Sequence, residues 1–147
     1  MQTTATDLTT LNSLLRGEMS AIETYRQGLD QLRDNNEPGV EELRAIQRDH
    51  RDAADVLWHQ IERSGGQPSE GSGPWGSFAK AVEGTAKLFG NAAALKALKE
   101  GEEHGLKDYQ DALQDASLTP EVQSLVRGFI SRQEDHIRML DRLIARQ

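Results

Sequence analysis

Leu14-Leu15-Arg16-Gly17-Glu18-Met19-Ser20-Ala21-Ile22-Glu23-Thr24-Tyr25 returns far downstream as Leu98-Lys99-Glu100-Gly101-Glu102-Glu103-His104-Gly105-Leu106-Lys107-Asp108-Tyr109. In both copies Gly-Glu is followed by six residues and a Tyr. The match continues outward at the same offset, pairing Leu11 with Leu95 and Leu29 with Leu113, so the repeated unit includes the apolar stripe of a helix. A second pair of segments repeats as Gln47-Arg48-Asp49-His50 and Gln133-Glu134-Asp135-His136, where Leu43 matches Phe129, Ala54 matches Leu140 and Leu57 matches Leu143. Internal repetition of two helices, in the order A, B, C, D with C like A and D like B, is the pattern that decides the fold.

The remaining composition agrees with an all-α chain. Pro is confined to positions 38, 68, 74 and 120, which leaves long runs of good helix formers rich in Leu and Ala. Helix A is expected over residues 7–34, with Thr6 or Asp7 as its N-cap and Leu8, Leu11, Leu14, Leu15, Ile22, Tyr25, Leu29 and Leu32 on one face. Helix B is expected over 38–63, with Pro38 in its first turn and Ser64-Gly65-Gly66 as its stop. A Gly/Ser/Pro loop leads to a short amphipathic helix over 77–89, then helix C over 91–116 and helix D over 120–145, the latter started by Thr119-Pro120-Glu121. A chain of 147 residues is about one domain, taken as 1–147. The A–B and C–D links are short enough for antiparallel hairpins. The B–C link of some 26 residues can cover on the order of 40 Å and return along the bundle. That gives a ferritin-like four-helix bundle with one long crossover.

Charge and residue usage narrow the function. A net charge of −7 with no Lys/Arg cluster argues against binding by phosphate neutralisation, so no nucleic-acid partner is expected. Without Cys, any metal rests on His and oxygen ligands. No run approaches the roughly 18 apolar residues of a membrane span. Met1–Asp7 lacks the charged and apolar regions of a signal peptide, and a soluble cytoplasmic protein is expected.

Six polar side chains sit on the inward faces. At the helical repeat, Gln47 and His50 share the face of Leu43, Ile46 and Leu57, and Gln133 and His136 share that of Phe129, Leu140 and Leu143. Glu18 and Glu102 interrupt the stripes of A and C in the same way, so all six should meet near the middle of the bundle. Two readings stand side by side: a site for a divalent ion, or a metal-free network in which two carboxylates and two imidazolium groups cancel while the amides donate and accept. Tyr25 and Tyr109 are expected as core residues with a bonded hydroxyl, or as donors near the site. Gly17 and Gly101 are expected to allow close helix approach beside it, and His59 and His104 fall on outward faces with no site role.

Over nearly its whole length the chain resembles the ferritin-like superfamily, in particular a poorly characterised group of small bacterial ferritin-like proteins. In the di-iron members, Glu from A and C and Glu-x-x-His from B and D hold two metal ions. On that pattern Glu18, His50, Glu102 and His136 match, whereas Gln47 and Gln133 stand where bridging carboxylates are usual. Two divalent ions would bring four positive charges to a site with two carboxylates, so the departure argues against di-iron oxidase chemistry. One divalent ion, Fe, Mn or Zn, balances Glu18 and Glu102, with His50 and His136 as nitrogen ligands and Gln47 and Gln133 as weak ligands or hydrogen-bond partners. The resemblance implies protection against metal or oxidative stress. The alternative is a structural or interaction module, with a homodimer formed through an exposed face.

Overall fold

The computed structural model describes residues 4–34, 39–71 and 90–147, with residues 31–34 described for their backbone alone. Among the described residues there are four helices and no strand: α1 Ala5–Asp34, α2 Val40–Arg63, α3 Asn91–Leu113 and α4 Pro120–Ala145. The all-α four-helix bundle expected from the repeat is the fold. Pro38 and the short helix expected over 77–89 lie outside the described residues.

Two helix ends differ from expectation for local reasons. The cap of α1 is Thr4: its Oγ1 accepts the Asp7 backbone N–H at 3.1 Å, and Asp7 Oδ2 accepts the Thr4 N–H at 3.1 Å, a reciprocal capping box. Asp7 is completely buried, because its other oxygen accepts the Thr119 N–H at 3.2 Å and so ties the start of α4 to the start of α1. Helix α3 stops at Leu113, short of 116, because the Asp115 side chain accepts from the backbone and hydroxyl of Ser117 and offers the chain a turn in place of another helical bond. Thr119 does hold the cap position before Pro120, in extended geometry, but its hydroxyl makes no capping bond.

Cross-helix contacts fix the directions. Glu18 meets His50 and Ile22 meets Gln47, so α1 and α2 run antiparallel. Tyr25 meets Glu102 and Tyr109 meets Glu18, so α1 and α3 are also antiparallel. Asp49 meets His136 and Gln60 meets Glu121, which sets α4 against α2. Helices α2 and α3 therefore run the same way, so the end of α2 and the start of α3 lie at opposite ends of the bundle, about 36 Å apart for a helix the length of α2. Parallel α2 and α3 agree with the two-hairpin connectivity expected from the link lengths.

Two apolar cores fill the bundle. One gathers Leu11, Leu15, Leu57, Ile61, Val122, Val126 and Phe129; the other gathers Leu43, Ile46, Leu95, Leu98, Leu140 and Leu143. Tyr109 belongs to the first core and Tyr25 to the second, and each points its hydroxyl into the polar layer between them. Burial of each large aliphatic side chain contributes on the order of 1.5–3 kcal/mol, so the cores carry the stability that this layer must not exhaust. None of the described helices is long and apolar enough to cross a membrane.

Gly39 opens α2 in the left-handed region at φ 99°, and a Cβ there would lie 2.7 Å from Leu143 Cδ2. Gly39→Ala is expected to destabilise the protein by about 1–2 kcal/mol, the cost of placing a side chain in that backbone region. Urea denaturation with an unchanged m-value would register it.

Candidate metal centre

The polar layer is built by four side chains from four helices. Glu18 of α1, His50 of α2, Glu102 of α3 and His136 of α4 are all buried, each at most 4 % exposed. One turn away on the same faces lie Leu14, Ile46, Leu98 and Leu140, all buried, so the apolar packing of each helix brings its polar residue to one level.

Glu102 is the hub. Its Oε1 accepts the Tyr25 hydroxyl at 2.7 Å and His50 Nε2 at 2.7 Å, and its Oε2 faces His136 Nδ1 at 3.3 Å. Glu18 accepts His50 Nδ1 at 2.6 Å on one oxygen and the Tyr109 hydroxyl on the other. The tyrosines thus cross over, each helix of the repeat supplying the donor for the carboxylate of its copy. The rings of His50 and His136 lie with centroids 4.9 Å apart.

These contacts set the charge state. Burial would push the His50 pKa down, but the Glu102 and Glu18 carboxylates at its two nitrogens outweigh that and raise it well above the ordinary histidine value. Burial would likewise raise Glu102, yet His50 and His136 hold it well below the usual carboxylate range. Burial and the neighbouring carboxylates drive both tyrosine hydroxyls well above their usual value, so each remains a donor. Without metal, His50 is an imidazolium donating to two carboxylates.

Gln47 and Gln133 border this group with their amides turned to backbone. Gln47 Nε2 donates to the Ile22 carbonyl at 3.1 Å, and Gln133 Nε2 donates to the Glu102 carbonyl at 3.1 Å. Gly105 makes room for the second amide, since a Cβ there would sit 2.7 Å from Gln133 Nε2. Of the paired glycines, Gly17 does not serve close packing: a Cβ there would meet nothing within 4 Å. His59 is exposed and pairs with Glu62, as expected of an outward residue.

One participant was missed. Asp49, with its side chain 42 % exposed, accepts His136 Nε2 at 2.8 Å and fixes that ring with Nδ1 toward Glu102. Sequence gave no way to single it out, because Asp135 holds the matching place before His136 and instead pairs with Arg138 on its own helix. His50, Glu102 and His136 each present a ligand-type atom, all within 4.8 Å of one another.

A family model described as a domain of unknown function (DUF2383) matches residues 6–115, three helices and both copies of the Glu-x6-Tyr segment. The chain belongs to this family. No curated protein and no solved structure matches the chain. Membership in DUF2383 therefore carries no named activity, and the chemistry must be argued from the centre itself.

The coupled His50–Glu102 pair predicts a pH profile for the metal-free protein. The contribution of the raised His50 is complete below 6.5 and is lost as pH rises through its folded value. That of the depressed Glu102 is complete above 4.5 and is lost as pH falls through its folded value. Stability from the pair should therefore be full between those values and decline on both sides. Urea denaturation of the metal-free wild type from pH 6 to 9 should show the alkaline decline, and His50→Gln should flatten it.

Proposed function

We propose that this protein binds a single divalent metal ion, Fe, Mn or Zn, at the centre of the bundle. The observation that supports this best is the convergence of His50, Glu102 and His136, with ligand-type atoms within 4.8 Å of one another. Ligand atoms around a tetrahedral ion with bonds near 2.1 Å stand roughly 3.4 Å apart, so the three side chains would rearrange within the layer to close on an ion. Glu18, hydrogen-bonded to the same histidine, supplies the second carboxylate.

The donors suit one ion. Two Glu neutralise a dication, and two imidazoles complete a borderline nitrogen and oxygen set. Asp49 holds His136 Nε2, which leaves Nδ1 as the ligand atom. His50 must give up a proton, so binding releases H⁺ and weakens in acid. A second ion would leave excess positive charge in an apolar interior. The Nε2 groups of Gln47 and Gln133 are committed to backbone carbonyls, and Oε1 is the only atom either could offer as a weak ligand. Di-iron oxidase chemistry is disfavoured on both counts, and sequestration of one ion away from oxidants fits a protective role.

One observation favours a second reading, a metal-free structural network. Both nitrogens of each histidine already face carboxylates, and the one buried side-chain polar atom without a partner among the described residues is Gln27 Oε1, outside the centre.

Equilibrium dialysis against Zn²⁺, Mn²⁺ and anaerobic Fe²⁺, followed by elemental analysis, separates the two. Wild type should retain about one ion per chain, a count that follows from charge balance between two Glu and one dication. The folded His50→Ala, His136→Ala variant should retain none. Metal-free wild type at micromolar excess would instead establish the network.

A further inference from the structure

A cavity of about 60 Å³ lies between α1 and α3 and ends on Glu18, Glu102 and His50. In that measure a water needs roughly 10–15 Å³, so the space holds a few water-sized groups. Its walls come from Ser13, Gly17 and Ala21 on one helix and Gly101 and Gly105 on the other, while His104 and Asp108 line it from α3. His136 and Asp49 do not line it, so the centre meets this cavity from one side only.

We propose that this cleft is the passage by which a divalent cation reaches the centre, with His104 and Asp108 at its rim as the first point of capture. The inference rests on the one-ion reading above and names its route. Gly17 carries it furthest. Glycine inside a helix costs about 1 kcal/mol relative to Ala, and here no neighbour occupies the space a Cβ would take. The cost therefore has no packing return and keeps the cleft open, at a position repeated as Gly101. Gly105 differs, being required by the Gln133 amide.

Charge supports the direction of traffic. Asp108 is half-buried, His104 is exposed, and their spacing of four residues puts imidazole and carboxylate on one face of α3. From that rim inward the lining carboxylates Asp108, Glu18 and Glu102 outnumber the one imidazolium, His50, and a net negative charge between low-dielectric walls focuses the field that draws in a cation.

The test is stopped-flow uptake of Co²⁺ by the metal-free full chain. Wild type is compared with Gly17→Leu, with Gly17→Met as a more flexible filler of the same space, and with Gly128→Leu as control. Gly128 lies on α4 outside the cleft and also has nothing within 4 Å of a Cβ. The Gly17 variants should melt no lower than wild type and bind the same number of ions with the same affinity. Their association and their release to a chelator should both slow by about tenfold, as a narrowed passage requires. Gly128→Leu should match wild type, and His104→Ala with Asp108→Asn should slow association several-fold. Wild-type rates in a folded Gly17 variant would overturn the passage and leave the metal reading intact. Failure of wild type to take up Co²⁺ would overturn both.

Discussion

Two carboxylates buried in the middle of an apolar bundle are the constraint that everything else answers. Neither Glu18 nor Glu102 could remain charged there alone, because desolvation of an isolated ion costs several kcal/mol even after relaxation. His50 sits between them with one nitrogen on each; Tyr109 donates to the other oxygen of Glu18, and Tyr25 joins His50 on Glu102 Oε1, whose Oε2 faces His136. Replacing one partner would leave the others buried and unpaired, so the layer is set as a unit and fixes the register of all four helices.

The internal repeat builds this layer with near two-fold symmetry and then breaks it. Tyr25 and Tyr109 serve opposite carboxylates in matched fashion. The histidines do not match: His50 bridges both Glu, whereas His136 spans Glu102 and the partly exposed Asp49. The amides differ as well, one bonded to Ile22 and the other to Glu102 itself. Glu102 thereby becomes the carboxylate shared by both rings, which hold it well below the usual carboxylate range. For the proposed metal site, this asymmetry favours a single ion beside Glu102 over a symmetric pair.

Much of this was legible in the sequence because it depended on periodicity. Helix existence and the burial of Glu18, His50, Glu102 and His136 follow from which positions share a stripe. What depended on cross-helix reach was hidden. The Tyr25 and Tyr109 hydroxyls land on the opposite carboxylates because α1 and α3 run antiparallel, which places a residue two turns past one Glu level with the other. Asp49 was invisible because Asp135 looks the same and pairs locally. The end of α3 was overrun because Asp115 and Ser117 exchange helix bonds for a turn. Gly17 was read as a packing position, since sequence shows a missing side chain and not whether anything fills the gap.

The centre and the cleft make one arrangement, with carboxylates and imidazoles closed off by α2 and α4 on one side and approached between α1 and α3 on the other. The most direct test is anomalous diffraction at the metal edge from crystals grown with Zn²⁺ or Co²⁺. One peak bonded to His50, Glu102 and His136 Nδ1 is the predicted result. Two peaks about 3.5–4 Å apart, or none within the bundle, would contradict it.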